Sequence, residues 1–167
     1  GKSRPGCGSE GYFLQIVGIC RFSLLGRGDW AAFRTIPQDK ADENAEAVEA
    51  RKASIFAPER LERRFTTFEH LTLASIRAQT DPDFTLVIMT GPDLPEPYLS
   101  HLRDLGAATP QLRLELVAPM ERHLEACRTA IAPHVDPSAD VVGHFRHDDD
   151  DAVALDYVAS ARRDFAR

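Results

Sequence analysis

The chain has 167 residues, 43% of them hydrophobic and 28% charged, a balance that suits one soluble globular domain and excludes disordered and fibrous classes. Its longest apolar run, residues 13–20, is broken by Gln15 and Gly18 and is too short to cross a bilayer, so no integral membrane segment is expected. The net charge of −6 argues against a general nucleic-acid binder, which needs a basic surface to neutralise phosphates.

Residues 1–12 hold four glycines and a proline and read as a loose lead-in to a single domain over residues 12–167. The run FLQIVGIC (13–20) is apolar at nearly every position, the mark of a strand buried on both faces. Residues 23–52 carry Gly26, Gly28 and Pro37 and end in DKADENAEAVEARK, which favours helix by propensity but has almost no apolar stripe. This stretch is expected to be a solvated helix or an excursion from the domain. Pro58 then opens a helix in which Leu61, Phe65, Phe68, Leu71 and Ile76 are expected to face the core. TDPD (80–83) is a turn, and FTLVIM (84–89) a second buried strand. Tyr98, Leu99, Leu102 and Leu105 give a short helix closed by Gly106. LRLELV (112–117) alternates as a strand more exposed on one face. Met120, Leu124, Cys127 and Ile131 step along another helix, and VVGHF (141–145) is the last strand, followed by a segment whose latter part is helical.

Strands alternating with helices predict an α/β fold: a mainly parallel sheet with helices on both faces. Ligands of such sheets bind beyond the carboxyl ends of the strands. Those ends are CRFS (20–23), TGPD (90–93), APMER (118–122) and HDDDD (147–151). The last is the chemical outlier. Capping of a following helix accounts for one or two aspartates. Four in succession, Asp148 to Asp151, add like-charge repulsion that capping does not require and a bound cation would relieve. Their hard carboxylate oxygens suit Mn²⁺ or Mg²⁺ held jointly with phosphate oxygens. His144 and His147 stand three positions apart, so strand alternation puts them on opposite faces, with His147 the closer to the acids.

Other chemistries lack their fingerprints. There is no GxSxG elbow, no GxxxxGK[ST] and no GxGxxG. Cys7, Cys20 and Cys127 are odd in number and show no CxxC spacing, which fits free thiols in a reducing compartment and a cytoplasmic location. Of the 20 basic side chains only Lys2, Lys40 and Lys52 are lysines. Arginine forks suit phosphate and carboxylate recognition, although a GC-rich coding bias gives the same ratio.

The segment HLTLASIRAQTDPDFTLVIM (70–89) resembles family 2-like glycosyltransferases of the GT-A fold, in which a Thr-Leu-x-Ser-x-x-x-Gln-Thr helix end leads into the second strand. HFRHDDDD (144–151) resembles the DxD motif of that fold, and the ordered set with CRFS, APERLERRFTTFE and FRHDDDDAV is closer still to a bacterial rhamnosyltransferase family. The resemblance covers roughly residues 14–160 and implies a Rossmann-like sheet and a nucleotide-diphosphate sugar donor, with rhamnose as the suggested sugar. A saccharide or other hydroxyl compound would be the acceptor. It implies that Asp148 and Asp150, with Asp151 following, hold a divalent metal, Mn²⁺ or Mg²⁺, on the donor diphosphate. Arg21, Phe22 and Ser23 match its first-strand end that lines the nucleotide pocket, and Arg128 stands about where it often has a donor-binding arginine. Asp149 and Asp93, the acid nearest the second-strand end, are taken as donor-binding with them, and Gln79 and Thr80 are assigned to shaping the helix–strand turn. Where many relatives carry an acidic pair at the end of the second strand, this chain has Met89 and Thr90. The fold places its acceptor half and catalytic base after the DxD helix. The chain is therefore expected to represent a donor-binding portion without its C-terminal acceptor side, and only Asp156 and Asp164 remain as candidate bases. Two rivals use the same acids: a nucleotide- or metal-binding module without turnover, and a metal-dependent phosphohydrolase.

Overall fold

The computed structural model describes residues 12–26 and 45–165. The lead-in assigned to residues 1–11 and the glycine-bearing stretch 27–44 lie outside the described residues. Four strands, β1 (Leu14–Arg21), β2 (Thr85–Thr90), β3 (Leu112–Leu116) and β4 (Val141–Asp148), form one sheet in the order β3-β2-β1-β4. All pairings are parallel, with Arg21 opposite both Met89 and Asp148. The helices are α1 (Ala45–Ile55), α2 (Pro58–Thr67), α3 (Ala74–Arg77), α4 (Tyr98–Ala107), α5 (His123–Ile131) and α6 (Tyr157–Phe165). The expected α/β architecture is the observed one, and among the described residues no helix is long and apolar enough to cross a membrane.

The sheet separates two cores. Leu14, Ile16, Cys20, Leu86 and Ile88 project from one face onto Leu61, Phe65, Phe68, Leu73 and Ile76, with Leu99, Leu102 and Val158 completing the layer. Val17, Val87 and Met89 project from the other face, where Ala126 and Ala130 of α5 cover them. The two central strands are apolar on both faces because helices lie on both.

Two helices turn a different side inward than their spacing predicts. A π-helical turn, Phe68–Leu73, joins α2 to α3. A π turn widens the backbone ring by one residue and slips the register of every side chain beyond it. Leu71 therefore faces solvent, while Thr72, Leu73 and Ile76 are buried. In α5 the large residues mislead: Leu124 is exposed, and it is Ala126 and Ala130 that let the helix lie close against the sheet. Gly106 does not close α4, which continues through Ala107.

Edge strand β4 is seated by aromatic rings lying over glycines. A Cβ added at Gly18 would stand 2.3 Å from the Phe145 ring, and one at Gly143 would stand 2.7 Å from the Phe165 ring. Phe145 in turn meets Tyr157 edge-on at 5.4 Å. These side chains, with Ile16, His144, Ala161 and Asp164, line a cavity of about 370 Å³. Because a methyl group at Gly18 must displace Phe145, Gly18→Ala is expected to destabilise the protein by about 1–3 kcal/mol. Urea unfolding should show Gly18→Ala/Phe145→Leu recovering part of that loss, and an additive double variant would exclude the contact as the cause.

Candidate functional site

Strand β4 runs three residues beyond the expected end, through His147 and Asp148. Pairing with β1 continues to Arg21, so the acids begin inside the sheet and alternate with it. Asp148 projects to the α5 side, where it pairs with Arg146 at 3.0 Å in an exposed contact of little energetic worth. His147 projects to the α2 side and is buried, whereas His144 is exposed, as the alternation requires. Burial holds the His147 imidazole below the usual histidine range, which keeps it neutral near pH 7. The chain then turns, with the Asp151 N–H donating to the Asp148 carbonyl at 3.3 Å. Helix α6 does not start until Tyr157, so the four aspartates cap no helix and the capping explanation falls.

One arginine organises the turn. Arg64 of α2 donates through Nη2 to Asp149 Oδ1 at 2.6 Å and through Nη1 to Asp150 Oδ2 at 2.7 Å. Asp149 is 2% exposed and its Oδ2 is buried without a partner. Burial pushes its carboxyl up to about 6 against the pull of Arg64, and Asp150 adds like-charge repulsion. One helical turn earlier, Arg60 donates to Ser23 Oγ at 3.1 Å and to the Ile55 carbonyl at 2.6 Å. Burial, joined by repulsion from Arg64, lowers the proton affinity of Arg60. Neither arginine was singled out by motif. Their four-residue spacing beside Leu61 and Phe65 puts them at the border of the buried face, but which strand end that border meets is a tertiary matter.

The remaining sequence candidates divide. Ser23 sits at the end of β1 with φ of +43°, a strained backbone for a residue with a Cβ, and its hydroxyl receives Arg60. Phe22 has no exposed surface; its ring packs against Phe65 and Phe68, so its side chain is a core element and offers a ligand no contact. Arg21 projects to the α5 side in register with Asp148. Beyond β2, Asp93 pairs with Lys52 at 3.3 Å, while its other oxygen is buried without a partner against Gly91. Arg128 lies on α5, across the sheet from Arg64, exposed and paired with Glu125. The structure thus gathers Ser23, Asp149 and Asp150 around α2 and leaves Arg128 outside that group. Of the two acids considered as bases, Asp156 is exposed and accepts from Ser160. Asp164 stands by Gly143, about 15 Å of strand before Asp148.

The Thr-Leu-x-Ser-x-x-x-Gln-Thr segment has a role other than the turn it precedes. The Thr72 hydroxyl donates to the Asp151 carbonyl at 2.8 Å, and Ser75 Oγ accepts from Val153. Gln79 donates to the Ala154 carbonyl and accepts from the Val158 N–H, while the Thr80 N–H donates to the Leu155 carbonyl. Every polar residue of the motif holds the loop that follows the acids. The helix–strand turn is closed instead by Asp81, whose carboxylate accepts from the Asp83 N–H and from Arg162.

The donor set has the chemistry of a hard divalent cation, since Asp149 keeps an unpartnered carboxylate oxygen and Asp150 stands beside it. It is not a closed cage: among the described residues no three His, Cys, Asp or Glu side chains converge. A cation here would be held by one or two carboxylates and complete its shell with other oxygens, as Mg²⁺ often does. A family model described as "Putative rhamnosyl transferase" matches residues 15–167. No curated protein and no solved structure matches the chain.

The raised Asp149 carboxyl has a consequence for stability. Its folded value of about 6 exceeds the ordinary 3.8, so between these limits the folded protein keeps a proton that the unfolded chain releases. This penalty is absent below about pH 4 and complete above about pH 6. Relative to wild type, Asp149→Asn is therefore expected to gain stability as the pH rises from 4 to 6, by on the order of 1–3 kcal/mol. Urea unfolding across that range checks it; a difference that stays flat would mean Asp149 is ionised throughout.

Proposed function

The chain belongs to the rhamnosyl transferase family, and from that premise we propose that it carries a sugar from a nucleotide-diphosphate donor to a hydroxyl acceptor, with the diphosphate seated at the carboxyl ends of β1 and β4. Rhamnose is the sugar the family description names. One observation carries the reading. Among the described residues, five buried side-chain polar atoms lack partners: Arg64 Nε, Thr90 Oγ1, Asp93 Oδ1, His147 Nε2 and Asp149 Oδ2. All belong to residues at the ends of β2 and β4 or to the helix beside them. Each such atom costs about 1–3 kcal/mol, and a concentration of them at one edge of a parallel sheet supports a polar ligand there.

The chain's own groups suit the transfer. When the sugar's anomeric carbon bonds to the acceptor oxygen, its bond to the diphosphate breaks and the leaving group takes the electron pair. A cation, Mn²⁺ or Mg²⁺, held by Asp149 and Asp150 with Asp148 and Asp151 at the ends of the turn, would supply charge neutralisation to that leaving group. Arg60 and Arg64 add fixed positive charge on the same side. Arg60 also sets the strained Ser23 backbone against the site, and the Asp93–Lys52 pair borders it beyond β2. The acceptor hydroxyl must lose its proton, and no base is assigned to that step.

Calorimetric titration of the protein with Mn²⁺ and the common nucleoside diphosphates tests the reading. Asp149→Asn/Asp150→Asn is expected to weaken diphosphate binding at least about tenfold, and binding unchanged in the double variant would refute the site. A product assay separates the rivals: sugar transfer supports the transferase, binding without turnover a module, and release of inorganic phosphate a phosphohydrolase.

A further inference from the structure

Arg64 holds the acids that the cation would need. Both ends of its fork are engaged, at 2.6 and 2.7 Å, by Asp149 and Asp150, and two such charge-assisted bonds make it a direct competitor for any cation approaching those oxygens. The Arg64 side chain as a whole is 30% exposed although its Nε is buried, so it reaches solvent where the carboxylate it holds does not. Asp149, by contrast, is 2% exposed and keeps one oxygen unpartnered. Arg60, one turn away, spends its N–H bonds on neutral acceptors, the Ser23 hydroxyl and the Ile55 carbonyl. Two like charges four residues apart on one helix face repel each other, and a shared anion would relieve them.

We propose that Arg64 is an exchangeable counter-ion of the acidic turn. It pairs with Asp149 and Asp150 until a cation bound to the donor diphosphate arrives, then releases the carboxylates to the cation and turns its fork, together with Arg60, to the phosphate oxygens. This rests on the reading that these two aspartates meet a metal and a diphosphate. It makes Arg64 a residue that opposes metal alone and favours metal and diphosphate together, so the site fills with donor and not with free cation. The balance of charge is kept at each stage: two carboxylates stand by two guanidinia before exchange, and the dication and the doubly negative donor diphosphate join the same four groups after it.

The test reads binding and needs no turnover. Mn²⁺ titrated alone, with the free ion followed by electron paramagnetic resonance, is expected to bind Arg64→Gln roughly fivefold or more tightly than wild type, the lower end of usual couplings between sites. With Mn²⁺ saturating, nucleoside diphosphate should bind the same variant at least about fivefold more weakly. A purely structural role for Arg64 predicts the opposite sign for the metal, because a disordered turn binds it less well. Arg60→Gln, which touches no carboxylate, should weaken the diphosphate without tightening Mn²⁺. Should Arg64→Gln fail to fold, Arg64→Lys carries the test: one ammonium holds one carboxylate less firmly, and Mn²⁺ affinity should fall between the two. Mn²⁺ affinity unchanged or reduced in the folded Arg64 variants would overturn the exchange. Failure of the underlying reading looks different, since Asp149→Asn/Asp150→Asn would then leave both Mn²⁺ and diphosphate binding as in wild type.

Discussion

The loop after β4 is the constraint around which the rest is arranged. Between Asp149 and Asp156 the chain has no regular structure of its own, yet it carries a nearly buried carboxylate and must hold it in place. Its backbone groups find partners on one rigid element, the run from α2 through the π turn into α3. Arg64 takes the carboxylates, Thr72 and Ser75 take Asp151 and Val153, and Gln79 bridges Ala154 to the first turn of α6. These groups span more than four helical turns, and the π turn is what puts Thr72 and Leu73 inward together. Buried backbone polar groups must be satisfied. Here much of the satisfaction comes from side chains of that one helical run, which ties the geometry of the acids to its packing on the sheet.

That tie explains why so large a part of the core serves the site. Leu61, Phe65, Phe68, Leu73 and Ile76 lie on the same helical run as Arg60, Arg64, Thr72, Ser75 and Gln79. Phe22, which would have been a pocket residue by position, packs between Phe65 and Phe68 and so locks the end of β1 to the helix that carries the arginines. Arg162 performs a similar service from α6, reaching Asp81, Asp83 and the Leu14 carbonyl, and so joins the last helix to the starts of β1 and β2. The stability cost is concentrated at the strand ends: the strained Ser23, the partly paired Asp93 and the Asp149 carboxyl all gather there. Local rules of folding are broken at this edge of the sheet and nearly kept elsewhere, the pattern expected of a functional site.

Much of the fold was legible before the structure. Apolar runs marked both central strands, alternation marked β3 as a strand more exposed on one face, and strand–helix alternation led to a parallel sheet. The acidic run was legible as an outlier, and the opposite faces of His144 and His147 followed from the strand period. That Asp149 and Asp150 both turn to α2 follows from the turn after Asp148, which no period marks. The misreadings have one kind of origin. Leu71 and Leu124 were expected inside because size and spacing favour them, but a π turn and a pair of alanines decide those faces, and neither has a strong signal in a hydrophobic pattern.

Sequence alone therefore determined the elements, their parallel arrangement and the edge of the sheet where polar chemistry collects, since these follow from local periodicity and the need to cover a sheet. Tertiary structure alone decided which charges meet. Arg64 lies 85 and 86 residues before Asp149 and Asp150, a separation over which no local pattern pairs side chains. Only the packing of α2 on β1, with β4 alongside, brings the guanidinium to Asp149 and Asp150 and singles these two out of four consecutive aspartates.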